Sequence, residues 1–202
     1  MYLLRKYLAV AAVGVAAAGA ASPLPFPAQE TGPRLPGEPV GRGTVSLVVD
    51  LSDRQLHVMR GGEVERSYSV AIGKPEHPTP TGEFKVRRMV WNPRWVPPDT
   101  KWARGKRARA PGDPRNPMGR VKIFFSDPDY YIHGTREVDS LGSAESHGCV
   151  RMRNAEVIEV ARTVMEGGGA SREPAWWKRV LNRVTHTQEV RLSDPVQVTV
   201  RE

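Results

Sequence analysis

Apolar and polar residues alternate in short stretches from residue 44 onward, which is the pattern of β-strands with one buried face. The first stretch has an apolar residue at every second position: Val45, Leu47, Val49 and Leu51. The stretches 55–60 and 63–72 flank Gly61 and Gly62, a pair that predicts a hairpin turn. Further strands are predicted over 84–90, 121–125, 130–133, 188–192 and 196–200, the last two as a terminal hairpin.

Helical spacing is confined to the region after residue 153. Apolar residues recur every three to four positions at Val157, Ile158, Ala161, Val164 and Met165. This pattern predicts a helix with Asn154 as its N-cap and with 167–169 (GGG) as its end. A short second helix is predicted within 171–181, beginning near Pro174. The fold class is therefore mainly β, a sheet domain with one or two short covering helices.

Residues 1–43 have a different composition. Arg5 and Lys6 precede an apolar run over 7–21 that ends near an A-x-A pattern at 18–20, which predicts a signal peptide over 1–20. The run is shorter than the roughly 20 residues of a membrane-spanning helix, so we expect no stable span after cleavage, with an uncleaved anchor as the alternative. No cysteine comes directly after the apolar run, which excludes a lipoprotein anchored through such a cysteine. Residues 21–43 predict a proline-rich linker, and residues 44–202 predict one folded domain. The whole chain is predicted to be an exported protein of the periplasm or cell envelope.

The positive charge of the chain is concentrated in one segment. The formal net charge is +8, and residues 92–120 contain eight basic residues against two acidic ones. Six prolines make this segment too irregular for a strand or helix, whereas Trp95 and Trp102 indicate an ordered structure. We therefore predict that residues 92–120 form a long basic flap. This flap would cover the site and attract anionic polymers or peptide carboxylates. Nucleic-acid binding is the alternative, and export argues against it.

Cys149 is the only cysteine of the chain and cannot form an internal disulfide. A lone cysteine is often a small buried hydrophobic residue. Here, however, Gly148 precedes it, and His133 and His147 are close in sequence. A glycine lets backbone amides approach a reacting carbonyl, and an imidazole can take the thiol proton, so the pattern favours nucleophilic catalysis.

Several segments then occur in a characteristic order: 79–84 (TPTGEF), 92–93 (NP), 116–119 (NPMG), 133–135 (HGT), 146–152 (SHGCVRM) and 195–198 (PVQV). In this order they resemble the YkuD-type L,D-transpeptidase catalytic domain, over about residues 44 to 200. The resemblance implies a β-sheet sandwich or barrel, no metal or cofactor, and the stem peptides of peptidoglycan as donor and acceptor. It also implies acylation of the cysteine by carbapenems.

The resemblance implies a role for each residue of the motifs. Cys149 would attack an amide carbonyl and form a thioester, with His133 as the base and the Gly134 carbonyl orienting its ring. The remaining expectations are a pocket and oxyanion role for His147, Gly148 and Gly134, and substrate binding by Ser146, Arg151 and Tyr131. For Arg151 a structural ion pair is an equal alternative.

Other functions remain open at this point. The acceptor of the acyl group could be a diamino-acid side chain or an envelope protein, or water could resolve the thioester, as in an L,D-carboxypeptidase. A non-catalytic wall-binding module would use the flap alone. A zinc hydrolase would use His133, His147 and Cys149, although their spacing is unusual for a metal site.

Overall fold

The computed structural model describes residues 43–202, so the predicted signal peptide and all but the last residue of the predicted linker lie outside the described residues. The strands are β1 (Val45–Asp50), β2 (Gln55–Arg60), β3 (Glu63–Ser69), β4 (Ile72–Gly73), β5 (Gly82–Trp91), β6 (Val121–Ser126), β7 (Tyr130–Thr135), β8 (Ala144–Ser146), β9 (Val150–Arg153) and β10 (Gln188–Arg201). The helices are α1 (Asn154–Gly167) and α2 (Pro174–Asn182).

Eight of these strands form one sheet in the order β3-β2-β1-β10-β5-β6-β7-β9. Most neighbours are antiparallel, and the pairs β1–β10 and β7–β9 are parallel. The small strands β4 and β8 form a separate parallel pair. The mainly β architecture with two helices is therefore confirmed, and the site of interest falls at the β6-β7-β9 end of the sheet.

Helix α1 covers one face of this end of the sheet. Its fully buried residues recur with helical spacing: Val157, Val160, Ala161, Val164 and Met165. They share one core with the fully buried strand residues Ile132, Val150 and Met152. Burying side chains of this size stabilises the fold by roughly 1.5–3 kcal/mol each, so the face opposite α1 is carried on a rigid support.

The predicted terminal hairpin is wrong, because residues 188–201 form the single strand β10. Both of its halves pair with β5, and the register shifts between Arg191 and Val196. Ser193, Asp194 and Pro195 are exposed at this irregularity. A proline cannot donate to a strand ladder, so a bulge accommodates Pro195 and the chain continues in the same direction.

The predicted N-cap at Asn154 is also wrong. The capping position is Arg153, which makes no side-chain cap hydrogen bond, and Asn154 is the first residue of the helix. The Asn154 side chain instead accepts the Arg120 N–H at 3.0 Å and donates to the Thr135 carbonyl at 3.1 Å. It therefore joins the end of the flap to β7, and the competing long-range partners explain why the local cap is absent.

Candidate active site

The candidate active site is built on one face of β6, β7 and β9. In the register of these strands, His133 lies opposite Lys122 of β6 on one side and Arg151 of β9 on the other. Successive side chains on a strand alternate between its faces, so Tyr131 and Cys149 share the face of His133. All five residues line one cavity of about 680 Å³. The fold thus brings the histidine and the cysteine singled out in the sequence to the same cavity wall.

His133 is held in one ring orientation by the residue that follows it. Its Nδ1 lies 2.8 Å from the carbonyl oxygen of Gly134, a contact that places the ring proton on Nδ1 and leaves Nε2 as an acceptor. Burial lowers the pKa of His133 to about 3, and the positive charges of Arg151 and Lys122 act in the same direction. The ring is therefore neutral at neutral pH and able to accept a proton.

Cys149 is half-buried, with its thiol beside the backbone of the neighbouring turn. Sγ lies 3.5 Å from the carbonyl oxygen of Asp129. Burial raises the pKa of the Cys149 thiol, although the Tyr131 amide and the positive charges of Lys122 and Arg151 oppose this effect. At rest the pair is therefore a neutral thiol and a neutral imidazole, not a thiolate with an imidazolium.

The turn before Cys149 is held by the buried hydroxyl of Ser146. Ser146 Oγ donates to the Cys149 carbonyl oxygen at 2.5 Å and accepts the Gly148 N–H at 3.1 Å. The Gly148 amide, which the sequence suggested as an oxyanion donor, is therefore already engaged. The Ser146 hydroxyl, which the sequence assigned to substrate binding, is likewise engaged within the turn.

Gly148 is the residue that lets this turn form. Its φ is +99°, a backbone conformation that residues other than glycine rarely adopt. A Cβ at this position would also lie 2.7 Å from Cε1 of Tyr130. Both the backbone angle and the space thus require glycine immediately before the thiol.

The flap forms the opposite wall of the cavity. Trp102 stacks on His147 with 4.0 Å between the ring centroids, and this pair joins the flap to the turn before Cys149. Burial lowers the pKa of His147, as do the charges of Lys74, His77, Arg151 and Lys106. His147 therefore contacts the flap and lines the cavity. Two of the eight basic residues of the flap, Lys106 and Arg115, line the cavity.

The two ends of the flap are fixed to each other and to α2. The Asn92 N–H donates to the Arg120 carbonyl at 2.8 Å, and Arg120 Nε donates to Asn92 Oδ1 at 3.0 Å. Arg120 Nη2 also donates to the Leu181 carbonyl at 2.9 Å, and Asn92 Nδ2 donates to the Val180 carbonyl at 2.9 Å. These bonds satisfy carbonyl groups at the end of α2, so the flap starts and finishes at one anchored point.

The other polar residues of the cavity wall have unequal surroundings. Arg151 forms an ion pair with Glu137 at 2.8 Å, which supports the structural alternative considered for it. Tyr131 packs edge-on against His133, with 5.5 Å between the ring centroids, and burial raises the pKa of its hydroxyl. Lys122 has its Nζ 4.4 Å from the centroid of the Tyr131 ring. The sequence analysis missed Lys122, although a lysine within the apolar stretch 121–125 was a visible signal.

A search of the described part of the chain for metal-ligand groups and for membrane-spanning helices finds neither. Across residues 43–202, no group of three or more His, Cys, Asp or Glu side chains is arranged to hold a metal ion. Within the same range, neither helix has the length and apolar character needed to cross a bilayer.

Comparison with protein families gives one match over most of the domain. The family model of the YkuD L,D-transpeptidase catalytic domain matches residues 44–193. Among curated proteins, "Putative L,D-transpeptidase YqjB" of Bacillus subtilis is 36% identical over 138 residues, which cover 66% of this chain and 70% of that protein. "Putative L,D-transpeptidase YkuD" of the same organism is 33% identical over 121 residues, covering 60% and 61%.

A solved structure has a similar fold at low sequence identity. The L,D-transpeptidase from Mycobacterium smegmatis aligns with a TM-score of 0.50 and 20% identity, over 79% of this chain and 59% of that chain. This likeness supports the β-sheet architecture.

Proposed function

The chain belongs to the L,D-transpeptidase (YkuD) catalytic domain family, and from this membership we propose that it transfers acyl groups between peptidoglycan stem peptides through a thioester on Cys149. The observation that carries the proposal is the shared cavity wall, which holds both His133 of β7, oriented by Gly134, and the half-buried Cys149, one residue before β9.

In the first half-reaction, Sγ of Cys149 bonds to the carbonyl carbon of an L,D amide while the thiol proton passes to Nε2 of His133. The carbon–nitrogen bond then breaks, and His133 returns the proton to the leaving amine, which departs with the terminal D-residue. Because both groups are neutral at rest, proton transfer accompanies the attack instead of preceding it.

In the second half-reaction, an acceptor amine attacks the thioester. His133 takes the proton of the amine and passes it to the departing sulfur, which restores the thiol. We propose a diamino-acid side chain of a second stem peptide as acceptor, with an envelope protein as a further possible substrate. The thiol thus supplies the proton of the first half-reaction, the acceptor amine supplies that of the second, and His133 relays both.

The oxyanion formed in both steps needs backbone donors near the sulfur. Since the Gly148 N–H is engaged by Ser146, we assign this role to the amides of His147 and Cys149. Ser146 then acts by holding the turn, and Tyr131 and His147 shape the pocket. Lys106 and Arg115 of the flap would face the anionic groups of the peptide.

We further propose that residues 1–20 direct export and that 21–43 link the domain 44–202 to its upstream attachment. The enzyme would then work in the periplasm or cell envelope, where its substrate lies. Determining the N-terminal residue of the protein recovered from an envelope fraction tests this proposal, since an intact Met1 would contradict cleavage.

Intact-mass spectrometry after incubation with a carbapenem tests the nucleophile. We expect a covalent adduct on the native protein and none on Cys149→Ala, whereas equal labelling of both would remove Cys149 from the mechanism. Exchange of a labelled D-amino acid into a stem peptide then separates transfer from hydrolysis, because a hydrolase releases the terminal residue without incorporating the label.

A further inference from the structure

Lys122 is a half-buried cation on the cavity floor that no described carboxylate neutralises. Within residues 43–202, no Asp or Glu oxygen forms an ion pair with it, whereas Arg151 on the opposite side of His133 is paired with Glu137 at 2.8 Å. The groups that face the Lys122 ammonium are the Tyr131 ring, the Cys149 thiol and the more distant guanidinium of Arg88. Half-buried lysines without a partner are uncommon, because burial disfavours the charged form.

The position of Lys122 relative to the reaction is fixed by the strand order. Cys149 immediately precedes β9, His133 is on β7, and Lys122 lies directly opposite His133 on β6. Continued one residue before β9, the register places Cys149 opposite Tyr131 and thus diagonal to His133, with adjacent strands about 4.8 Å apart. The Lys122 ammonium lies over the Tyr131 ring, and its charge acts on both the thiol and the imidazole, so nucleophile, base and cation border the same part of the cavity floor.

This arrangement limits where the leaving group can lie. His133 must protonate the leaving amine, so that amine lies within about 3 Å of the ring. When the donor peptide ends in a free amino acid, the terminal carboxylate is separated from this amine by a single carbon. The acyl part is bound to the sulfur, and the carboxylate of the leaving residue therefore lies close to the base, where Lys122 is the cation directly opposite in the register.

Building on the proposed function, we propose that Lys122 is a specificity residue that binds the terminal α-carboxylate of the donor peptide. Lys122 selects donors that end in a free carboxylate over donors whose terminus is amidated or extended. Charge pairing in a partly dehydrated cavity is stronger than in water, which gives the selection its energy.

Two donors test this inference: a synthetic stem tetrapeptide that ends in D-alanine and the same peptide ending in D-alaninamide. The quantity measured is kcat/KM for release of the terminal residue by native protein, Lys122→Met, Lys122→Arg and Lys85→Met. Lys85 is an exposed lysine on β5 outside this cavity, so it controls for loss of one surface charge.

We expect native protein and Lys85→Met to prefer the free acid by tenfold or more, in line with about 1.4 kcal/mol per factor of ten. Lys122→Met should lose this preference through a higher KM for the acid, while Lys122→Arg retains part of it. Because the Lys122 charge also lowers the pKa of the thiol, Lys122→Met should react more slowly with the neutral probe iodoacetamide and with both donors alike. The ratio between the two donors therefore reports carboxylate binding, and a role limited to activating the thiol would leave that ratio unchanged.

The role of Lys122 would be overturned if native protein released D-alanine and D-alaninamide equally well, or if Lys122→Met kept the preference for the free acid. Either result would leave the proposed function standing. Release of neither residue by a native protein with normal thiol alkylation would overturn the proposed function itself, and this inference with it.

Discussion

The floor and the flap of the cavity are built in opposite ways. The floor, formed by β6, β7 and β9, has a hydrogen-bonded ladder on its strands and a fully buried apolar face against α1. The flap contains one short 3₁₀ turn, Lys101–Ala103, and one isolated bridge, between Trp95 and Arg109. The reacting groups lie on the floor, and the exposed positive charge lies on the flap.

This difference separates two tasks. A nucleophile and its base must keep their geometry to within a fraction of an ångström, which packed strands can ensure and an irregular segment cannot. Covering a peptide requires contact surface and charge, which an irregular segment with Lys106 and Arg115 toward the cavity can supply. We therefore expect floor mutations to affect chemistry and stability, and flap mutations to affect substrate use alone.

Removing the base should have the largest effect. We expect His133→Gln to lower kcat/KM for acyl transfer by about 10³-fold or more, because no other described side chain of the floor can take the thiol proton. Steady-state release of the terminal D-residue measures this. Unchanged activity would show that His147 or water serves as the base, and the comparison of floor and flap would fail at its centre.

The helix that supports the floor gives the largest expected change in stability. Met165 is fully buried, so Met165→Ala should cost about 2–5 kcal/mol in the free energy of unfolding. Trp102→Ala on the flap should cost under about 1 kcal/mol, since it removes a single stacked pair. Denaturant unfolding of both variants tests the contrast, and equal losses would contradict it.

Acid should destabilise the protein through the floor. His133 has a pKa of about 3 when folded and about 6.5 when unfolded, so between these values the unfolded chain binds a proton that the folded chain does not. The contribution of the neutral His133 ring to the free energy of unfolding should thus be fully present above about pH 6.5. It should fall by up to a few kcal/mol as the pH approaches 3. In His133→Gln this part of the pH dependence should disappear, and an unchanged slope in urea unfolding would contradict the buried neutral ring.

The contact between flap and turn should give the smallest effect. Trp102→Ala should raise KM for the donor peptide by about tenfold or less with little change in kcat, because Trp102 touches His147 and not the reacting atoms. Trp102→Phe, which keeps a stacking ring, should be closer to the native protein. A fall in kcat with constant KM would place Trp102 in the chemical step.

Local patterns in the sequence predicted most of the sheet and helix α1. Alternation revealed β1, the glycine pair at 61–62 revealed the turn between β2 and β3, and the spacing from Val157 to Met165 revealed α1. Each signal depends on contacts between near neighbours or on one buried face. The predicted family is confirmed by the family model, and the predicted mainly β fold is confirmed by the observed strands.

Errors arose where distant partners decide the outcome. Asn154 has the right residue type for a cap but bonds instead to Arg120 and Thr135, which are far away in sequence. Residues 193–195 look like a turn, yet pairing with β5 on both sides keeps the chain straight. Lys122 is visible as a lysine within an apolar stretch, but its place in the site depends on its register with His133, which no periodicity encodes.

The joining of Asn92 to Arg120 makes the segment between them exchangeable. Since both ends meet at one hydrogen-bonded clasp on α2, a shorter or differently charged segment could be grafted there without repacking the sheet. Substrate specificity could thus diverge through changes in the flap alone, while the catalytic residues on the floor stay the same.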